Sequence, residues 1–362
     1  MVLLYGVHLN LSNVIVVLYT TRMPDIYYTV AHRDQKEIDS FKTRYEKFDI
    51  ARIAPLFLSA LGLHVSNIKP STSWGSSHVI YFISVLERKD VLVFRANLGF
   101  NKKPEVMMKV EQLICEEVEK RNIPTNKVLY VDISRTLYNF DFQIEECLMG
   151  SDIENNFKGT KAEYDEMSFS LGKYIALYSK IQFNKFGMFD ENSVQRNVLE
   201  GTKNSFFEYI TVCLDEDIAY LVSSNVISSL KAQTIRHLFD EYKPIINSVK
   251  KGSLVHHDLA DHNIFFQGKT ITGIFDWEAA VVGDPVLDPA SCPTWRTFYP
   301  REKILIDGYK SITPLPNHFQ EKMNIYRLRT MLWKMVFAIR MNIVTDARKQ
   351  KFYEALKPFK LT

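Results

Sequence analysis

The chain has 362 residues, 46% of them hydrophobic and 24% charged, and a formal net charge of +3. That length exceeds one ordinary domain and suits two lobes of about 100–200 residues each, with ample apolar side chain for packed cores. The balanced charge excludes a polybasic nucleic-acid binder, because Lys102-Lys103 and Lys250-Lys251 are only pairs.

Val2 to Tyr19 is mostly apolar and β-branched, but His8, Asn10 and Asn13 interrupt it, and Arg22 is the first basic side chain after His8. A secretory signal opens on positive charge, and the run is marginal for a membrane helix. Residues 1–22 are therefore read as an extension before a domain that starts near Met23. A segment packed on that domain and a membrane anchor are the alternatives. Cys115, Cys147, Cys213 and Cys292 form no C-x-x-C pair and have no His at metal-ligand spacing. They read as thiols in a reducing compartment, and the expected location is cytoplasmic.

From residue 65 the pattern is strand-like: Val65–Lys69, then the turn-rich Ser71–Ser77, then His78–Leu86 and Val91–Arg95. Lys103–Arg121 predicts a helix, with Pro104 in its first turn and Val106, Val110, Leu113, Ile114 and Val118 on one face. Strands follow at Lys127–Asp132 and Phe140–Ile144. After Gly150 the pattern becomes helical. Helices are expected over Tyr164–Ile181, over Val226–Val249 with a kink at Pro244, and over Phe319–Ile343. Only residues 253–276 break this helical half with strand patterns. A β-rich half, 23–149, thus meets an α-rich half, 150–362.

The chemistry concentrates in residues 253–288. Two short apolar strands, Ile264–Phe266 and Thr270–Phe275, flank the turn Gln267-Gly268-Lys269, which reads as a hairpin. Asn263 precedes the first strand and Asp276 follows the second, so a hairpin brings an amide oxygen and a carboxylate together. Those donors suit a hard cation such as magnesium. Asp258, five residues before Asn263, can reach the same point without being a ligand. Phosphoryl transfer uses such an arrangement: a carboxylate takes the acceptor's proton and a metal bridges the nucleotide's phosphates. The run His256-His257-Asp258-Leu259-Ala260-Asp261-His262-Asn263 is a variant of the kinase catalytic loop.

The segment resembles the aminoglycoside phosphotransferase-like small-molecule kinases, a family that includes choline, homoserine and methylthioribose kinases. Their pattern is H-G-D-x-x-x-x-N, an apolar hairpin, D-x-D/E and G-D-P-x-x-D. It is matched here by His256, Asp258, Asn263, Asp276, Glu278, Gly283-Asp284-Pro285 and Asp288. The resemblance implies a two-lobe protein-kinase-like α+β fold: a small antiparallel sheet lobe with one helix binds the nucleotide, and a larger helical lobe carries the catalytic hairpin. It implies Asp258 as catalytic base, Asn263 and Asp276 as Mg²⁺ ligands, and ATP or GTP as donor. It implies that Asp288 and His256 brace the loop, and it leaves Glu278 open between a second metal, a substrate amine and a structural role.

The same resemblance points to Gly75, Ser76 and Ser77 as a phosphate-cradling turn and to Arg95 as the phosphate cation. Glu111 is then Arg95's helix partner, with Glu116 or Glu117 as rivals. The segment Gln143–Cys147, including Glu145 and Cys147 and ending at Gly150, becomes a hinge whose backbone meets the purine. His257 stands where relatives have Gly, and Leu177-Tyr178-Ser179-Lys180 replaces their L-H-x.

A eukaryotic-type protein kinase is disfavoured, because Asp276-Trp277-Glu278 runs within ten residues into Gly283-Asp284-Pro285 and leaves no room for an activation segment. A catalytically silent kinase-like protein is the other alternative, although the base and both metal ligands are present. The acceptor is expected to be a small hydroxyl compound such as an aminoglycoside, an amino-alcohol or a sugar. Candidate acidic wall residues are Glu278, Asp261, Asp284 and Asp215-Glu216-Asp217, and candidate aromatics are Trp277, Trp295, Tyr299 and Trp333.

Overall fold

A computed structural model describes residues 43–71, 78–98 and 105–362. The turn holding Gly75, Ser76 and Ser77 lies outside the described residues, as does the N-terminal extension.

The first lobe is a five-stranded antiparallel sheet in the order β1-β2-β3-β5-β4. Its strands are β1 (Val65–Pro70), β2 (Val79–Val85), β3 (Leu92–Ala96), β4 (Val128–Asp132) and β5 (Phe142–Glu146). Strict alternation in β2 buries Val79, Tyr81, Ile83 and Val85 on one face, the period-2 signature of a half-covered strand. That face is covered by Phe48 and by a helix the sequence reading did not include, α1 (Ile53–Leu61). It ends on Gly62 in the left-handed conformation, a common C-terminal stop for a helix.

The expected helix is α2 (Met107–Glu119). Its buried face, Val110, Ile114 and Val118, belongs to a core shared with the other lobe. It packs against the turn Trp277–Ala279, and so links the two lobes where the hairpin ends. After β5 the chain passes through Gly150. Its φ is +94°, and a Cβ there would lie 2.2 Å from Phe266 O. Only glycine fits both constraints.

The second lobe is built on α3 (Lys161–Tyr178), α4 (Leu214–Ser223), α5 (Ser229–Ile246), α6 (Leu287–Ser291), α7 (Glu302–Lys310), α8 (Phe319–Arg340) and α9 (Asp346–Leu356). Pro244 sits in the last turn of α5, where its missing N–H removes one intrahelical bond, that to the carbonyl of Asp240. Helix α8 is buried on most sides, from Met323 to Ala338, and is the axis of the largest core.

This lobe also holds more sheet than the sequence reading gave it. The hairpin β11 (Ile264–Gln267) and β12 (Thr270–Ile274) gains a third strand, β6 (Ser151–Asp152). A separate five-stranded sheet runs β7-β10-β13-β8-β9. It comprises β7 (Gln182–Phe183), β8 (Phe186–Phe189), β9 (Gly201–Lys203), β10 (Gly252–Val255) and β13 (Val281–Gly283). Strands of two to four residues complete less than two alternations, so they leave no periodic trace in sequence. Among the described residues no helix is long and apolar enough to cross a membrane.

Candidate active site

The hairpin delivers its two ends as the sequence suggests. Ile264 pairs with Ile274, and Phe275 N–H donates to Asn263 O at 3.2 Å, which extends the ladder to the residues flanking it. Asp276 leaves the strand at φ +65°, ψ +51°. This left-handed turn is one that Asp tolerates better than most side chains.

Asn263 Nδ2 donates to Asp258 O at 2.8 Å and to Asp258 Oδ2 at 3.2 Å. The amide is thereby oriented, with Oδ1 turned away. Asp276 Oδ1 accepts from Arg95 Nη2 at 3.1 Å. Among the described residues, Asn263 Oδ1 and Asp276 Oδ2 accept no hydrogen bond. Two oxygens at one hairpin mouth match what magnesium takes, one or two protein ligands completed by phosphates and water. No cluster of three or more His, Cys, Asp or Glu side chains suited to a metal occurs among the described residues. Burial and the neighbouring Glu278 push the Asp276 carboxyl up to about 6, against the pull of Arg95. A divalent cation there reverses that balance.

The loop of residues 256–263 is braced from below. Asp288, buried at the start of α6, accepts from His256 N–H and His257 N–H at 2.8 Å each and from Tyr178 Oη at 2.6 Å. His256 Nε2 meets Phe275 O at 2.9 Å and its ring lies 4.4 Å from that of Trp277, so it ties the loop to the end of β12. Burial holds the imidazole below its usual pKa. His257 has φ +71°, which explains why a glycine is favoured at this place in the pattern. The histidine is accommodated because its ring is wholly buried, with Nδ1 3.3 Å from Tyr209 Oη.

On the sheet lobe, Arg95 of β3 donates to Glu111 Oε2 of α2 at 2.7 Å, and both side chains are buried. Glu116 and Glu117 lie elsewhere on the helix, and Glu117 pairs with Lys120 and Arg121 at the surface. Arg95 Nη2 also reaches Glu278 Oε2 at 3.2 Å, and Glu278 Oε2 meets His78 Nε2 at 2.6 Å. Burial opposes charge on His78, but the charge and hydrogen bond of Glu278 outweigh it and raise its pKa. Glu278 is thus engaged between the lobes. His78 is a member of the site that the sequence did not reveal; its partner stands 200 positions away.

Glu145 lies inside β5, opposite Val93 of β3 and Val128 of β4. Its buried carboxylate accepts from Asn126 Nδ2 at 2.5 Å and from Gln143 Nε2 at 2.8 Å. Gln143 Nε2 also donates to Glu111 Oε2 at 3.1 Å, so this network forms the floor under the Arg95 pair. Cys147 N–H still bonds Val91 O at 3.3 Å. The stretch that leaves the ladder is Leu148-Met149-Gly150, where the Met149 carbonyl accepts from Thr272 at 2.6 Å.

Three proposed wall carboxylates are structural. Asp261 is buried between Tyr164 Oη, at 2.8 Å, and Arg301. Asp284 takes Lys322 Nζ at 2.7 Å and Tyr326 Oη at 3.0 Å. Asp217 takes Arg329 at 2.8 Å with both side chains fully buried. Trp277 and Trp333 are core residues.

Comparison with known proteins follows this geometry. The chain is 32% identical over 105 residues to the "Probable ketoamine kinase in tonB 3'region" of Klebsiella pneumoniae, a stretch covering 29% of this chain and 81% of that one. The fold matches aminoglycoside phosphotransferase APH(4)-Ia, crystallised as a ternary complex with AMP-PNP and hygromycin B. The TM-score is 0.62 at 16% identity, over 86% of this chain and 99% of that one. It also matches macrolide 2'-phosphotransferase MphH from Brachybacterium faecium, with TM-score 0.55 at 14% identity, over 85% and 99% of the two chains. Residues 73–310, well over half of the chain, fit the model of the phosphotransferase enzyme family; the protein belongs to that family and is a small-molecule phosphotransferase.

Proposed function

We propose that the protein transfers the γ-phosphoryl group of ATP or GTP to a hydroxyl of a small molecule, yielding a phosphate monoester. The observation that carries this reading is the convergence of Asp258, Asn263 and Asp276 at one hairpin mouth, facing the Arg95–Glu111 pair of the other lobe. On this reading 23–149 is the nucleotide lobe and 150–362 the catalytic and acceptor lobe.

Asn263 and Asp276 would hold Mg²⁺, which neutralises charge on the phosphates when bound. Arg95, held straight by Glu111, presents a fixed cation to the phosphates and stays charged at any working pH. The backbone of Gly75, Ser76 and Ser77 is assigned to the phosphates, and the segment around Glu145 and Cys147 to the base, with the open stretch after Cys147 as its contact edge. Asp258 has one oxygen oriented by Asn263, while Oδ1 accepts no hydrogen bond among the described residues. The Asp258 carboxylate takes the acceptor hydroxyl's proton as the new oxygen–phosphorus bond forms and the bond to the β–γ bridging oxygen breaks, releasing ADP or GDP. None of the four cysteines is in a disulfide, which suits work in a reducing cytoplasm.

Magnesium-dependent phosphate transfer to a panel of hydroxyl acceptors tests the reading. Asp258→Asn should lower the rate about 10²–10⁴-fold; a variant that kept full rate with a confirmed acceptor would remove Asp258 from the role of base.

A further inference from the structure

The segment that follows α6 gathers charge unlike that of the hairpin mouth. Residues 292–295, which follow α6, lie against the catalytic loop: Cys292 Sγ is 3.5 Å from Leu259 O, and the Trp295 ring meets His262 edge-on with centroids 5.8 Å apart. Two distant helices bring lysines to this segment. Lys334 of α8 donates to Thr294 Oγ1 at 2.7 Å and stands 3.0 Å from the centre of the Trp295 ring. Lys351 of α9 donates to Pro293 O at 2.8 Å and to Trp295 O.

These cations share one neighbourhood with the catalytic loop. After burial, the charge that acts most strongly on Lys334 is Asp258, followed by Lys351, with Arg348 also acting on it. Arg296, next to Trp295, and Arg348 both act on Glu154. Among the described residues, Lys334, Lys351, Arg348 and Arg296 have no carboxylate oxygen within 4 Å. Glu154 holds His262 Nδ1 at 2.8 Å and Asp261 holds Arg301, while Glu354 is the charge that acts most strongly on Lys351 after burial. Burial and the like charges push the Lys334 ammonium well below its ordinary range. An incoming anion offsets that burial and favours the ammonium form of Lys334.

We propose that the acceptor is an anion: a hydroxylated small molecule whose carboxylate or phosphate is held by Lys334, in the field of Lys351, Arg348 and Arg296, while its hydroxyl faces Asp258. The inference rests on the phosphotransfer reading above and narrows it. A Lys334 ammonium has three N–H donors, and only one is committed to Thr294. The Trp295 face holds the ammonium itself by a cation–π contact. A polycationic acceptor such as an aminoglycoside meets like charge here.

Ligand-observed NMR, with and without Mg·AMP-PNP, tests this on matched probes: gluconate for carboxylate, glucose 6-phosphate for phosphate, sorbitol as neutral and hygromycin B as cationic. At least one anionic probe should bind about tenfold more tightly than sorbitol, and hygromycin B more weakly still. Gluconate and glucose 6-phosphate differ in which acidic group is preferred. Lys334→Gln should cost the anionic probe about tenfold and spare sorbitol. Arg348→Gln, at an exposed position, should cost less and repeats the test if the first variant fails to fold. Equal or tighter binding of sorbitol or hygromycin B, or no anionic binding by protein that holds Mg·AMP-PNP, overturns the inference and leaves the phosphotransfer reading standing. Failure to bind either Mg·AMP-PNP or its guanine counterpart Mg·GMP-PNP counts against that reading instead.

Discussion

His257 shows how one residue reports its surroundings. Its backbone sits in the left-handed region at φ +71°, its N–H donates to Asp288 Oδ1 at 2.8 Å, and burial holds its ring well below the usual histidine pKa. The sign of the resulting pH dependence follows. A depressed folded pKa means that the unfolded chain takes up a proton near pH 6.5 while the folded chain does not, so this contribution to stability is lost as pH falls below about 6.5. Urea melts at pH 7.5, 6.0 and 5.0 should therefore show wild type losing stability relative to His257→Asn by up to about 1.4 kcal/mol per pH unit in acid. A constant gap between the two proteins across that range would contradict the buried neutral ring. A second residue-scale prediction concerns Glu111. Glu111→Ala frees Arg95 to lean wholly on Asp276 and Glu278, so the KM for nucleotide should rise about tenfold with a smaller change in kcat. Steady-state kinetics in nucleotide and in acceptor separate this from a general loss of fold, which lowers active-enzyme concentration and leaves KM alone.

At the scale of elements, the tightest crossing is between α3 and α7. Gly172 and Gly308 face the partner helix so closely that a Cβ on Gly172 would lie 1.9 Å from Leu305 O, and one on Gly308 2.0 Å from Phe169 O. The obstacle is backbone in both cases, so the helices must separate to admit a methyl. Gly172→Ala should cost about 1–3 kcal/mol, more than the gain in helix propensity returns, and lower Tm by several degrees in a thermal melt. The start of α3 offers a smaller change to compare with it. Thr160 accepts from Glu163 N–H, and Glu163 accepts from Thr160 N–H at 2.7 Å, a reciprocal capping box. Thr160→Ala should cost about 1 kcal/mol by the same melt.

Elements also mark what could be read beforehand. The hairpin was legible because two apolar runs flank a glycine turn, and helix α8 because its apolar pattern is long. Strands β7, β8, β9 and β13 were not, being too short to show a period and set only by pairing with β10 and with one another. Helix α1 carries an apolar face, yet the sequence reading did not include it, because the sheet it covers is what gives that face its place.

At the scale of the molecule, buried ion pairs join segments far apart in sequence. Arg329 of α8 donates to Asp217 Oδ2 at 2.8 Å and to Ile210 O at 2.7 Å, with both charged groups fully buried. Removing the carboxylate strands a guanidinium in the largest core. Asp217→Ala should thus cost about 3–5 kcal/mol in denaturant unfolding, whereas loss of the exposed Asp215–Arg236 pair should cost under about 1 kcal/mol. Equal effects would mean that Arg329 finds another partner. Asp284 and Asp261, read from sequence as a wall for an acceptor, are spent in the same way on Lys322 and Arg301.

The sequence by itself determined the hairpin and the meeting at its mouth of Asp258, Asn263 and Asp276, because they lie within nineteen positions and a local turn brings them together. Only the tertiary structure decided what surrounds them. His78 reaches Glu278, Arg95 reaches Asp276, and Lys334 and Lys351 reach Trp295 and its neighbours, across separations of 200, 181, 40 and 56 residues or so. Side chains on separate helices and strands leave no periodic or spacing signal of their meeting; packing alone brings them together. Packing also decides which carboxylates are consumed in ion pairs and which cations, among the described residues, are left without one.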